Sequence, residues 1–359
     1  MAEEGGCPRG RRFLADAGGQ RHEARGGGEE DQEGAEGFRE ATADRRQGLA
    51  SPPPGELPGG ERGARLRPRL YSRRCAPTIR SRGRAPAVEE AGAVLEGKRL
   101  AVLGVGTMGE ALIRGLRARA PGVEVVGTVK HEASRARVEA LGARPAESNA
   151  AAAEGADVLV LAVKPQVVPA VLSELRGRVA ADALVVSIAA GVTTARIEEL
   201  LGGEVPVVRV MPNTPCVLGE GISVLARGAH AGDEHLALAR ELFDSVGKTA
   251  VLEEGLIDAV TGLSGSGPAY VYLVIESLAE AGVKVGIPRA TSTLLAAQTV
   301  LGAARMVLEL GQHPALLKDA VTTPAGCTVD GLMELEEGKL RVTLLKAVVR
   351  AAERARELG

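Results

Sequence analysis

The sequence predicts a doubly wound parallel α/β sheet, an all-helical domain after it, and an extension before it that has no core of its own. Three observations carry the prediction. The run Arg99-Leu100-Ala101-Val102-Leu103 passes through Gly104-Val105-Gly106-Thr107-Met108-Gly109 into a stretch with helical spacing. Short apolar, β-branched runs then recur between helical stretches. From about residue 254 the spacing is helical to the end of the chain.

Residues 1–96 read differently from the rest. Runs such as Gly26-Gly27-Gly28-Glu29-Glu30 and Ser51-Pro52-Pro53-Pro54-Gly55 alternate with mixed charge, and every basic residue before Lys98 is Arg or His. Apolar residues there follow no period of 2 or 3.6, so the segment buries too little surface to offset its ordering entropy and is expected to be disordered. Its acidic content argues against a transit peptide, and it has no secretory apolar core. An extension without a role, arising from a start codon assigned too far upstream, and a targeting or regulatory tail both fit.

Strand, glycine turn and helix in succession form the context in which G-x-G-x-x-G marks a dinucleotide site. Gly104 permits the tight turn, Gly106 lets a pyrophosphate approach the backbone, and Gly109 lets helix and strand pack closely. The amides at the helix start then face the phosphates. Further strands are expected over residues 123–129, 157–163, 183–188 and 206–210, with two more at 222–226 and 249–252. Their β-branched, uninterrupted apolar character suits parallel strands covered on both faces, in a Rossmann-type domain over residues 97–253.

The end of the second strand governs cofactor choice. Thr128-Val129-Lys130-His131-Glu132 follows it, with Ser134 and Arg135 next. Lys130 puts a cation where a ribose 2′-phosphate would lie, which points to NADPH; Glu132 keeps NADH open. The third and fourth long strands end in Ala162-Val163-Lys164-Pro165 and Ile188-Ala189-Ala190-Gly191. Small residues at these edges leave room for ribose and nicotinamide. Lys164 suits a ribose hydrogen bond best; a catalytic acid and a surface position are the other readings.

The helical domain, residues 254–359, opens with Ser264-Gly265-Ser266-Gly267-Pro268. Ser266 or Gly267 is expected to cap a long helix with Pro268 in its first turn, in preference to a phosphate loop. The stretches 269–281 and 291–310 are apolar nearly all round. Such helices require cover on every side, which a symmetric homodimer of helical domains provides; packing on the sheet domain is the alternative. Near the C-terminus, Thr322-Thr323-Pro324-Ala325-Gly326-Cys327-Thr328 lies between two helical patterns. Amides of Gly326 and Cys327 at a helix start, with the Thr323 and Thr328 hydroxyls, could bind a small carboxylate. An ordinary loop with a threonine N-cap fits the spacing equally well.

Bulk properties narrow the function. A net charge of −2 gives no reason to expect nucleic acid or an anionic membrane as partner. No apolar run is expected to span a bilayer. Cys7, Cys75, Cys216 and Cys327 are far apart, which argues against disulfides or a metal site and for a cytoplasmic setting.

The motifs Gly104 to Gly109, Ala162 to Pro165, Ala189 to Gly191, Arg209-Val210-Met211-Pro212-Asn213-Thr214-Pro215, Gly262-Leu263-Ser264-Gly265-Ser266-Gly267-Pro268-Ala269-Tyr270 and Leu317 to Thr328 appear in the order found in pyrroline-5-carboxylate reductases, which the chain resembles from about Arg99 onward. The resemblance implies reduction of 1-pyrroline-5-carboxylate to L-proline with NAD(P)H, by an interlocked dimer that often assembles into rings of dimers. It implies that Thr323, Gly326 and Cys327 hold the substrate carboxylate and that Thr328 bonds the ring nitrogen. It places Glu254 near the substrate, Asn149 near the adenosine ribose and Ala190 beside the nicotinamide. Ala325 departs from the family, which has glycine there. A hydroxyacid dehydrogenase is the competing enzyme reading; Lys284 is its nearest catalytic candidate but lacks the expected following Asn. A non-catalytic NADPH sensor is the reading from another class.

Overall fold

The computed structural model describes residues 94–358. The expectations for residues 1–93 lie outside the described residues. One eight-stranded sheet organises the first part of the chain, in the order β3-β2-β1-β4-β5-β6-β7-β8. Its strands are β1 (Arg99–Leu103), β2 (Glu124–Gly127), β3 (Arg144–Pro145), β4 (Val158–Leu161), β5 (Leu184–Ser187), β6 (Val207–Met211), β7 (Gly221–Arg227) and β8 (Gly247–Val251). All neighbours run parallel except β6 and β7. The two-residue β3 is the strand the sequence pattern does not show, since Arg144 and Pro145 carry no apolar run.

Between the strands lie α1 (Thr107–Arg119), α2 (Arg135–Ala140), α3 (Asn149–Ala153), α4 (Val168–Leu175), α5 (Thr194–Leu201) and α6 (Asp233–Asp244). They cover both faces. Leu100 and Val102 of β1 join one core with Leu112 and Leu116 of α1 and Phe243 of α6. Ala101 and Leu103 join the other with Leu172 of α4 and Ile197 of α5. The period of two along each strand thus supplies both cores, and each fully buried large side chain contributes about 1.5–3 kcal/mol. Leu95 is buried in the first core, and the amides of Val94 and Leu95 donate to Glu241 at 3.1 and 3.3 Å. The packed domain therefore takes in residues just before the expected start at 97.

The helical part comprises α7 (Ile257–Val260), α8 (Gly267–Lys284), α9 (Arg289–Leu310), α10 (Pro314–Ala320), α11 (Cys327–Glu337) and α12 (Leu340–Leu358). A π-helical turn, Thr261–Gly265, joins α7 to α8. This corrects the expected capped start. Ser266 is itself in the α region and its side chain caps nothing. Gly262, just before it, serves close packing: a Cβ there would lie 2.7 Å from the Ala352 nitrogen and Val348 oxygen of α12. The hydroxyl of Tyr270 donates to the Gly262 carbonyl at 3.3 Å and ties the turn to α8.

Helix α9 is, by length and composition, the one described helix apolar enough to cross a membrane, contrary to the expectation that no apolar run is. Arg305 and scattered Thr, Ser and Gln residues hide this in a residue-by-residue run; the 22-residue helix reveals it. It packs on α8 along one side and leaves Leu294, Leu301 and Leu308 exposed. Val271 and Leu273 of α8 are exposed as well.

Candidate active site

The first half of the site is the C-terminal edge of the sheet. Gly104 follows β1 directly with φ +89°, where a Cβ would stand 2.7 Å from Val163 Cγ1. Only glycine turns the chain there without strain. The Gly106 amide is spent inside the turn on the Gly104 carbonyl, at 2.8 Å, and Glu110 closes the first helical bond onto Gly106. The amides of Thr107, Met108 and Gly109 have no acceptor among the described residues, and no side chain caps α1. Free amides at a helix start, backed by the helix dipole, fit a pyrophosphate.

Below this turn runs a hydrogen-bonded chain of which the sequence motifs show only the far end. The Gly104 amide donates to Thr128 Oγ1 at 3.0 Å, and the Thr128 hydroxyl donates to Asn149 Oδ1 at 2.9 Å. Asn149 Nδ2 donates in turn to Glu174 at 3.1 Å. Thr128 is buried, so its hydroxyl is fixed from both sides. Lys130 is exposed and makes no salt bridge among the described residues. Arg135 is occupied by Glu132 at 3.3 Å. Arg137, which no motif singles out, donates to the Val105 carbonyl at 3.1 Å.

The neighbouring strand edges are aligned by the ladder. Ala162 donates to the Leu103 carbonyl at 2.9 Å, and Ile188 to the Leu161 carbonyl at 3.2 Å. Ala162, Val163 and Pro165 are half-buried beside the glycine turn, and Lys164 is exposed. Ala189 is buried and Ala190 exposed at the next edge.

The second half is the turn before α11. The Gly326 amide donates to the Thr323 carbonyl at 2.9 Å, with Pro324 and Ala325 between them. Pro324 fixes a negative φ and Ala325 has φ +59°, which makes this a type II turn. The expectation that the Gly326 amide is free for an anion is therefore corrected: the turn itself consumes it. Gly326 is the N-cap of α11, so the helix opens at Cys327 and Thr328 is not a cap. The amides of Cys327 and Thr328 have no acceptor among the described residues. Thr323 and Cys327 are exposed; Thr328 is half-buried. No hydrogen bond among the described residues joins this turn to the sheet domain.

Glu254 sits where the two parts join. Its carboxylate accepts the Thr194 amide at 2.8 Å and the Thr194 hydroxyl at 2.7 Å, and Arg209 approaches at 3.4 Å. Both oxygens are thus engaged within the chain. His313 accepts the Ala315 amide at 3.2 Å at the start of α10, a structural role. Lys284 ends α8. Cys216 is buried, which pushes its thiol pKa up, and neither it nor Cys327 is in a disulfide.

A doubly wound sheet with free amides after β1, joined to a helical domain bearing a second set of free amides, is an architecture suited to a nicotinamide-dependent oxidoreductase. Residues 254–358 match the family model for pyrroline-5-carboxylate reductase dimerisation, and residues 99–191 match that for NADP oxidoreductase, coenzyme F420-dependent. A pyrroline-5-carboxylate reductase of Methanosarcina acetivorans is 44% identical over 268 residues, 74% of this chain and 99% of that protein. One of Arabidopsis thaliana is 43% identical over 267 residues, 74% of this chain and 96% of that protein. The Coxiella burnetii reductase structure superposes with a TM-score of 0.70 at 36% identity, covering 73% of this chain and 98% of that one. The Plasmodium falciparum pyrroline carboxylate reductase, solved with NADP bound, does so with 0.66 at 33% identity, covering 74% and 99%. The chain belongs to the pyrroline-5-carboxylate reductase family and is an oxidoreductase of that kind.

Proposed function

We propose that the chain reduces 1-pyrroline-5-carboxylate to L-proline, the final step of proline synthesis, with NADPH, as a cytoplasmic homodimer. The observation that carries the reading is the pair of acceptor-free amides of Cys327 and Thr328 beside the Thr323 and Thr328 hydroxyls. Amides at a helix start, with no basic side chain in the turn, suit a small carboxylate.

When bound, the reduced nicotinamide supplies the hydride that adds to the imine carbon. The chain's own residues bind and orient. Thr107, Met108 and Gly109 offer amides to the pyrophosphate, and the Thr128–Asn149 pair holds the glycine turn beneath them. Lys130 offers a cation to a 2′-phosphate, and the NADP in the Plasmodium falciparum relative supports that preference. Residues 162–165 and 189–190 line the strand edges for the ribose and nicotinamide. Cys327 and Thr328 hold the carboxylate through their amides, with Thr323 beside them. The Thr328 hydroxyl bonds the ring nitrogen, whose proton comes from solvent.

The homodimer is supported by the apolar faces that α8 and α9 leave exposed and by the match to a dimerisation domain. An interlocked arrangement also brings the 322–328 turn of one copy to a sheet edge, to which its own chain does not bond it. The domain limit near 254 is supported by the change from sheet to helix at Glu254. The distant cysteines support the cytoplasmic setting.

Thr328→Ala tests the assignment of the turn. Loss of a hydrogen bond to a charged ring nitrogen, about 1.5–3 kcal/mol, lowers kcat/KM roughly ten- to a hundredfold with the fold intact. Wild-type kinetics in that variant remove Thr328 from the site.

A further inference from the structure

Three charged side chains meet at the junction of sheet and helices. Arg209 interrupts the apolar strand β6, and its side chain is only 6% exposed. Val208 and Val210 face one core, so Arg209 shares the opposite face with Val207. There its guanidinium lies 3.4 Å from Glu254 and 3.6 Å from Asp258. The two acids are four residues apart, which puts both on one face as the chain enters α7. Glu254 also receives the amide and hydroxyl of Thr194, the first residue of α5. One carboxylate from the helical domain therefore caps a sheet-domain helix, where the positive end of the helix dipole adds to the guanidinium charge. Two negative groups face one cation and one helix start, so the cluster is close to charge balance.

Its location gives it a role. Helix α5 begins directly after residues 189–193, the loop holding Ala189 and Ala190. We infer that Arg209 is a positioning residue for hydride transfer: through Glu254 and Thr194 it locks the 189–193 loop, at the nicotinamide edge of the sheet, against the start of the helical domain. The inference rests on the function proposed above. An apolar side chain at this position would give no directional contact and would leave Glu254 and Asp258 without their cation. Four polar contacts on this carboxylate and guanidinium define a single register, which a reaction sensitive to sub-ångström placement requires.

The test uses the full chain and two variants. Arg209→Lys keeps the charge but cannot reach both acids; Asp258→Asn loosens the partly exposed side of the cluster and carries the test if the first variant does not fold. Steady-state rates, the NADPH Kd by fluorescence, and the primary isotope effect with 4-deuterated NADPH are measured together. The expected result is a kcat lowered about tenfold with the NADPH Kd unchanged and a larger isotope effect, as the hydride step becomes more limiting. A lowered Tm with wild-type kcat and isotope effect in the folded variants overturns the inference and leaves the functional reading intact. A wild-type protein inactive towards pyrroline-5-carboxylate overturns that reading, and the inference with it.

Discussion

The amide of Gly104 donates to the hydroxyl of Thr128, 3.0 Å away and 24 residues on in sequence. The first glycine of the dinucleotide turn is thus held by a buried side chain from the end of the neighbouring strand. Thr128→Val keeps the shape and removes the hydroxyl. It leaves the half-buried Gly104 amide without its acceptor and Asn149 without a donor, at a cost of about 1–2 kcal/mol. The expected outcome is a lower Tm and an NADPH Kd raised about tenfold, with kcat at saturating cofactor little changed. Calorimetry and cofactor titration check both arms.

Lys130 is the exposed cation after β2, free of any salt bridge among the described residues. Lys130→Ala is expected to lower the ratio of kcat/KM with NADPH to that with NADH about tenfold, the effect of losing one charge-assisted contact to a phosphate. The same variant flattens the salt dependence of the NADPH KM. Rates with the two cofactors across a salt series provide the measurement.

Ala325 occupies a position with φ +59° in a type II turn, where glycine or asparagine is favoured. The methyl group costs about 1–2 kcal/mol in this region, and the more flexible unfolded chain of a glycine variant returns part of that. Ala325→Gly is therefore expected to raise stability by about 0.5–1 kcal/mol. A thermal melt reads the shift directly, and a fall in Tm would show that the alanine side chain makes a compensating contact.

Asp157 links the start of β1 to β4. Burial pushes its carboxyl pKa up, but the Arg99 amide at 2.8 Å and the Lys98 ammonium at 3.0 Å together outweigh burial and hold the pKa below the usual carboxylate range. A depressed folded-state value stabilises the protein above the ordinary Asp range near pH ~3.9, and that stability disappears as pH falls through the depressed value. The side chain is 38% exposed, so solvent screening limits the effect to about 1 kcal/mol or less. The stability difference between wild type and Asp157→Asn is expected to be flat from about pH 5 to 8 and to shrink below about pH 4. Denaturant titrations along that range check the sign.

Much of this architecture is legible in the residues. The central strands are legible because Val158 to Leu161 and Leu184 to Val186 are apolar without interruption, as strands covered on both faces must be. The glycine turn is legible because a strand, a glycine run and a helix follow one another directly. Three features are not. The capping clasp at Glu254 joins residues 45 and 60 positions apart, Arg209 and Thr194, and no local spacing reports such a contact. An arginine inside an apolar strand is the available signal. The type II turn at Pro324 and Ala325 is hidden because alanine stands where a glycine would announce it. The π-helical turn at Thr261–Gly265 looks like a capped helix start, since Gly262 serves α12 rather than a loop.

The proposed reaction brings a nicotinamide cofactor and a cyclic imino acid together on this chain. Its most direct test is the purified full-length protein with NADPH and 1-pyrroline-5-carboxylate, with cofactor oxidation followed by absorbance and product by mass spectrometry. One L-proline formed for each NADPH consumed is the predicted result. Cofactor oxidation without proline, or no turnover with either NADPH or NADH, would contradict it.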